Sequence, residues 1–188
     1  MKSCVVVAHP DDETLWAGGF LARYARESVW EVVCCTIPRA DPIRADKFLN
    51  ACGVLGARGI VHPAIEQSAG ESLTHLNDID LSEYDYIMTH NAWGEYGHIH
   101  HRNVHSWVLD TYPHKRLGVF GHRSVARGVH SITLTEREQS VKMAALECYN
   151  HILPYNGREM TKCAALLERY IDSGEVLFNV ETFDGAMP

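Results

Sequence analysis

The sequence of 188 residues predicts an α/β fold, a three-layer sandwich with a mostly parallel sheet and helices on both faces, in a single domain over residues 1–188. Three observations predict it. Apolar, β-branched runs without polar alternation, Val5-Val6-Val7-Ala8 and Val32-Val33-Cys34-Cys35, read as strands buried on both faces. Segments with helical periodicity alternate with these runs, as crossovers between parallel strands require. Two dense polar clusters stand just past the ends of strands, where open α/β sheets bind ligands.

The elements follow in order. The first strand stops at about residue 9, because Pro10 cannot donate to a ladder and holds its predecessor extended. Residues 12–27 carry Leu15, Trp16, Phe20, Leu21 and Tyr24 at helical spacing. Gly18-Gly19 costs that helix stability and lets its backbone lie close to the sheet. Residues 30–37 form the second strand, 38–42 a Pro/Asp-rich loop, and 43–55 a helix with Gly56 near its end. A short strand over 59–62 precedes a polar connection, 63–83, with one short helical piece. Residues 84–90 are a strand, 91–97 a Gly- and aromatic-containing loop, 98–109 a helix, and 117–122 a strand. Thr135-Glu136-Arg137-Glu138 reads as a capping box opening a helix to about 149. A further helix over roughly 157–171 and a last strand over 176–183 complete a Rossmann-like order.

Composition narrows the partners. Apolar content of 46% and charged content of 22% are those of an ordinary globular protein. With 17 Lys and Arg against 24 Asp and Glu, the net charge of -7 speaks against nucleic acid or an anionic membrane as a general partner. The six cysteines form no CxxC pair and read as buried, reduced thiols, which suits a reducing compartment. No apolar run reaches spanning length, and the first strand starts too near Met1 to leave room for a signal peptide. The expectation is a cytoplasmic protein without membrane insertion.

The chemistry lies in the two clusters. His9-Pro10-Asp11-Asp12-Glu13 follows the first strand. Gly94 to His105 follows the strand over 84–90 and holds four of the chain's 12 histidines, His98, His100, His101 and His105. A parallel sheet brings both clusters to one edge. His9, Asp12 and one histidine of the second cluster then make a two-imidazole, one-carboxylate set, which binds Zn²⁺ with a position open or another divalent transition metal such as Fe²⁺. Such an ion lowers the pKa of a bound water to about 7 in favourable cases. Asp11 is left beside that water to take its proton, and a remaining histidine can stabilise an oxyanion or protonate a leaving group.

The intact Ala8-His9-Pro10-Asp11-Asp12-Glu13 after an apolar strand, with a His-x-x-His cluster at a helix start, resembles the PIG-L/LmbE-like N-deacetylases. These metal-dependent enzymes remove acetyl groups from N-acetylglucosamine units of small glycoconjugates. By position, the resemblance implies that His9, Asp12 and His101 are metal ligands, Asp11 the general base, and His98 the histidine that assists the tetrahedral intermediate. It implies Zn²⁺, or another divalent ion such as Fe²⁺, and a small-molecule N-acyl amino sugar as substrate. Where the family commonly has His-Pro-Asp-His, this chain has His98-Ile99-His100-His101, which makes His100 a rival ligand; His105, an i,i+4 neighbour of His101, is another. The family's late pattern, a helical Lys and a short polar segment, is present in part over 142–150. Arg44, Asn91 and Trp93 are candidate substrate contacts on the same edge. The chain is short for the family, which suggests a small substrate or a site completed by a second copy in a homo-oligomer.

Other classes were weighed against this reading. A non-haem Fe²⁺ oxygenase uses the same ligand set, but usually on antiparallel β folds; oxygen uptake would favour it. A nucleotide-binding module needs a Gly-rich turn, whereas two aspartates here repel a pyrophosphate. In a non-catalytic metal-binding α/β module, Asp11→Asn would have no turnover to remove.

Overall fold

The structure, a computed structural model, describes residues 1–25, 28–37, 39, 43–68, 70–121 and 133–149, and the backbone of 132, 152–155, 158–161 and 175–176. β1 (Ser3–Val7) is the middle strand of a five-stranded parallel sheet. The chain moves outward from it through α1 (Asp12–Tyr24), β2 (Trp30–Cys34), α2 (Arg44–Leu55) and β3 (Arg58–Val61). It then returns past a 3-10 turn at Leu76–Asp78 to the other flank of β1. There β4 (Tyr86–Thr89), the one-turn α3 (Gly94–Gly97), α4 (Ile99–Thr111) and β5 (Arg116–Val119) complete the order β3-β2-β1-β4-β5. The winding direction reverses between β1 and β4, and a crevice opens at such a switch point beyond the strands' C-terminal ends. The register Val5↔Val32 and Val5↔Met88 brings the residues after β1 and after β4 to that crevice.

The pleat explains why these strands lack polar alternation. Val5, Val7, Val32, Cys34, Tyr86 and Met88 face a core shared with α1, α2 and α5 (Glu136–Glu147). Cys4, Val6, Ala8, Val33 and Ile87 face a second core closed by Val104, Trp107 and Val108 of α4. Both faces are dry, so both residue parities are apolar. The capping box of α5 forms as expected, with Thr135 Oγ1 accepting from the Glu138 N–H.

Several expectations change. β1 ends at Val7 rather than at about residue 9, because side chains take the next two backbone N–H groups: that of Ala8 donates to His90 Nε2 and that of His9 to Asp12 Oδ2. The glycines of α1 serve a helix, not the sheet. A Cβ on Gly19 would sit 2.5 Å from Leu134 carbons, and one on Gly18 3.1 Å from Lys142 Cγ, so the close approach is to α5 and its lead-in. The start of the expected 157–171 helix is instead a strand: β7 (Ile152–Tyr155) and β8 (Arg158–Thr161) pair antiparallel, Tyr155 opposite Arg158. The residues between them, Asn156 and Gly157, are the dipeptide favoured in two-residue hairpins. The rest of that helix, most of the 38–42 loop and the last strand beyond residue 176 lie outside the described residues. A two-residue β6 (Ile132–Thr133) pairs with β9 (Glu175–Val176) at the start of that last strand. Cys4, Cys34, Cys35 and Cys52 are buried free thiols, and Cys148 is half-buried.

Candidate metal centre

The turn after β1 sends its three carboxylates to different partners. Asp11 is the N-cap of α1, yet its side chain does not cap. Its carbonyl accepts from the N–H groups of Thr14 and Leu15 at 3.1 and 2.9 Å, with its φ at 115°. A non-glycine residue there costs on the order of 1–3 kcal/mol. Glu13 holds the conformation: Oε2 accepts the Asp11 N–H at 3.0 Å, and Oε1 accepts the hydroxyls of Thr14 and Tyr149 at 2.5 and 2.7 Å. Burial pushes the Glu13 carboxyl up to about 7. Glu13 is thus an inner brace as well as a first-turn residue. The freed Asp11 carboxylate pairs with Arg44 at the start of α2.

Asp12 points the other way. Its Oδ2 accepts the His9 N–H at 2.9 Å and lies 3.3 Å from both His9 Nδ1 and His101 Nε2. Burial alone would raise the Asp12 carboxyl, but His101 and His9 outweigh it and hold it well below the carboxylate range. Burial likewise opposes charge on His101, and Asp12 with Glu95 overcomes it, raising His101 to about 10. The pocket favours positive charge.

Hydrogen bonds fix which ring nitrogens face that pocket. His101 Nδ1 donates to Glu95 Oε2 at 2.5 Å, so in the neutral ring that an ion would require Nε2 carries the lone pair; this atom is buried and makes no hydrogen bond, with Asp12 Oδ2 3.3 Å away. His100 Nε2 donates to the Glu71 carbonyl at 3.0 Å, leaving Nδ1 to accept from His9 Nε2 at 2.9 Å. His9 Nε2–H also lies 3.2 Å from Glu66 Oε1. His9 therefore turns an unprotonated Nδ1 toward Asp12. At the N-cap of α4, His98 Nδ1 accepts the His100 N–H at 3.2 Å, which puts the His98 proton on Nε2. Burial, reinforced by His9 and His101, pushes His98 down to about 3 and keeps it neutral.

Three groups among the described residues bring ligand atoms within 4.8 Å of one another: His9-Asp12-His101, His9-His98-His100 and His90-Glu95-His101. Their hydrogen bonds separate them. His90 Nε2 accepts from the Ala8 N–H at 3.0 Å and Nδ1 donates to Glu95 Oε2 at 2.8 Å, so that ring has no lone pair left. His100 is committed at both nitrogens, and His98 carries its proton on Nε2. Only the first group has two free imidazole lone pairs and a carboxylate. A tetrahedral ion about 2.0–2.1 Å from its ligands holds them roughly 3.3 Å apart, which matches the two 3.3 Å separations around Asp12 Oδ2. The orphaned His101 Nε2 is the strongest sign of fit, since buried nitrogens without partners are rare.

The remaining expected residues fall in three places. His105 Nδ1 donates to the His90 carbonyl at 2.8 Å and belongs to none of the three groups. Asn91 closes the loop: Oδ1 accepts the N–H groups of Trp93 and Glu95, and Nδ2 donates to the Phe120 carbonyl. The amide expected to face substrate is committed to backbone instead. Arg44 reaches the edge but lies on Asp11, and Trp93 is 57% exposed. Sequence reasoning missed His90 and Glu95. Neither carries a motif; the available hint was a carboxylate between Gly94 and Gly97, six residues before His101. Both those glycines have positive φ, and a Cβ on Gly94 would meet Arg102 Cγ at 2.9 Å.

Comparisons with known proteins identify the family and the fold. A family model described as PIG-L, GlcNAc-PI de-N-acetylase, matches residues 4–112. A 1D-myo-inositol 2-acetamido-2-deoxy-alpha-D-glucopyranoside deacetylase of Actinosynnema mirum is 27% identical over 221 residues, covering 92% of this chain and 75% of that protein. Among solved structures, the N,N'-diacetylchitobiose deacetylase of Pyrococcus horikoshii matches with a TM-score of 0.67 at 13% identity, over 100% of this chain and 86% of that one. GalB, a 4-carboxy-2-hydroxymuconate hydratase of Pseudomonas putida, matches with 0.57 at 14% identity, over 100% and 98%. At such identities the structural matches speak for the fold alone.

Proposed function

The chain belongs to the PIG-L family of GlcNAc-PI de-N-acetylases, and from that premise we propose that it is a metal-dependent hydrolase removing an acyl group from the amine of an N-acetylated amino sugar or related small glycoconjugate. Residues 1–188 act as one catalytic domain. His9 Nδ1, Asp12 and His101 Nε2 would hold the metal, Zn²⁺ or another divalent transition ion such as Fe²⁺. The observation that carries this reading is the convergence of His9 Nδ1, Asp12 Oδ2 and the buried His101 Nε2, which makes no hydrogen bond.

When bound, the metal supplies Lewis acidity, making water a usable nucleophile near neutral pH and polarising the acyl carbonyl. The rest falls to side chains. Asp11, freed from capping, takes the proton of the attacking water and returns it to the departing amine. Its pairing with Arg44 orients the carboxylate. His98 presents Nε2–H, a neutral donor, to the developing oxyanion. Glu13 and Tyr149 hold the Asp11 backbone in place. Arg44 and the exposed Trp93 flank the substrate side, where an aromatic face suits a sugar ring. The products are a carboxylate, acetate in the simplest case, and a free amine.

The fold does not decide the chemistry, since a hydratase shares it. The discriminating experiment is an amine-release assay over a panel of N-acetyl sugars, run on metal-replete protein with metal analysis of the same sample. Amine and acetate in equal amounts are expected. Absence of turnover on every acylated amine by protein that holds its metal would overturn the deacetylase reading. No helix among the described residues is long and apolar enough to cross a membrane, and we take the reaction to be cytoplasmic and its substrate water-soluble.

A further inference from the structure

Glu95 falls within the second cluster but received no role from the sequence, yet its carboxylate touches two of the site's imidazoles. It is 4% exposed in a loop between two glycines, with its own φ at 56°. Oε2 accepts from His101 Nδ1 at 2.5 Å and from His90 Nδ1 at 2.8 Å, while Oε1 accepts the Asn91 N–H at 3.0 Å. His90 continues the chain of contacts, because its Nε2 accepts the N–H of Ala8, the residue before His9. One carboxylate thus grips the imidazole of His101 directly and, through His90, the backbone that delivers His9. His90 and His101 stack with ring centroids 3.9 Å apart, so two rings share one acceptor on the same side.

We infer that Glu95 is the positioning residue of the metal centre: it sets the tautomer of His101, orients its ring, and ties the two motifs together through His90. The inference rests on the metal-site reading above and adds the group that makes the site ready for its ion. The physical ground is general. A ligating imidazole needs its second nitrogen protonated and held, and a carboxylate there also raises the basicity of the ligating atom. Glutamine in its place carries no charge and has one oxygen for three N–H donors, so its NH2 must face either the Asn91 N–H or the two ring N–H groups. His101 would then be free to flip or to carry its proton on Nε2, the atom that the ion requires bare.

The test is the affinity for Zn²⁺ of the full chain, measured by competition with a chromogenic chelator, for wild type, Glu95→Gln and His101→Ala. Thermal melts of the metal-free proteins run alongside. Glu95→Gln should bind Zn²⁺ about 10–100-fold more weakly than wild type. Its metal-free melting should stay close to wild type, and His101→Ala should remove the site. An affinity within twofold of wild type for Glu95→Gln, with His101→Ala abolishing binding, would overturn the role of Glu95 and leave the metal site standing. Equal binding by wild type and His101→Ala would instead remove the site itself. If Glu95→Gln does not fold, ¹⁵N shifts of the imidazoles in metal-free wild type at high pH decide the matter. A His101 ring protonated on Nδ1 supports the inference, and one protonated on Nε2 contradicts it.

Discussion

His9 and His101 reach the same point from opposite flanks of the switch crevice, but they are held differently. His9 is delivered by a strand end and a local turn: Asp12, three residues on, accepts its backbone N–H, and a neutral imidazole, His100, receives its outer N–H. His101 sits one turn into α4, and a buried carboxylate receives its outer N–H. The difference teaches where the site's charge is placed. Burial would raise the Glu95 carboxyl, but His90 and His101 outweigh it and hold it at about 2. The His101 flank therefore has a fully buried carboxylate behind the ligand, whereas on the His9 flank the outer N–H is shared between the neutral His100, which passes on to the Glu71 carbonyl, and the partly exposed Glu66 carboxylate at 3.2 Å.

The largest expected effect treats the two flanks alike. His9→Ala and His101→Ala should each abolish stoichiometric metal binding. Each should lower turnover by about a thousandfold or more, as expected where several kcal/mol of charge stabilisation are lost. Metal analysis with an amine-release assay checks this, and a marked inequality between the two would break the picture of a shared ion. Next comes Asp11→Asn, which should lower turnover by about 10²–10⁴-fold while metal content stays near wild type. Loss of the metal along with the activity would move Asp11 from proton transfer into coordination. Smaller still is His100→Ala, which leaves the outer N–H of His9 to Glu66 alone. A drop in Zn²⁺ affinity of up to about tenfold is expected, less than for the carboxylate partner on the other flank. A larger drop than for Glu95→Gln would reverse the comparison.

The effect expected to be smallest on metal binding lies outside the ligand set and is read through stability. Lys142 of α5 is buried, with Nζ donating to the Leu15 carbonyl at 2.8 Å, and burial pulls it down to about 7 from an ordinary value of 10.5. Between those values the unfolded chain binds a proton that the folded chain does not. Stability should then rise with pH across that window, by at most about 1.4 kcal/mol per unit, and fall away as pH drops toward 7. Denaturant melts of wild type and Lys142→Met should differ in that slope. Identical slopes would mean that Lys142 keeps its charge inside the fold.

The sequence shows one flank far better than the other, for a physical reason. Strand, Pro10, paired aspartates and helix start are neighbours in the chain, so composition and order suffice to locate His9, Asp11 and Asp12 at a sheet edge. The alternation of buried runs and helical segments likewise specifies the parallel sheet. What holds the ligands is non-local. Glu95 to His90, His100 to His9 and Tyr149 to Glu13 join segments whose approach depends on α4 and α5 packing on opposite faces, and no spacing rule encodes them. Asn91 illustrates the converse: a polar residue in a promising loop proves to be that loop's own fastener. The strand over 158–161 reads in the sequence as the start of a helix, because spacing alone does not separate short strands from helix segments.

The most direct measurement is amine release from an N-acetyl amino sugar by metal-stripped protein titrated with Zn²⁺. Activity should rise linearly and break at one ion per chain, with no rise in the His101→Ala protein. Turnover that is indifferent to stripping, or a His101→Ala titration that matches wild type, would contradict this expectation.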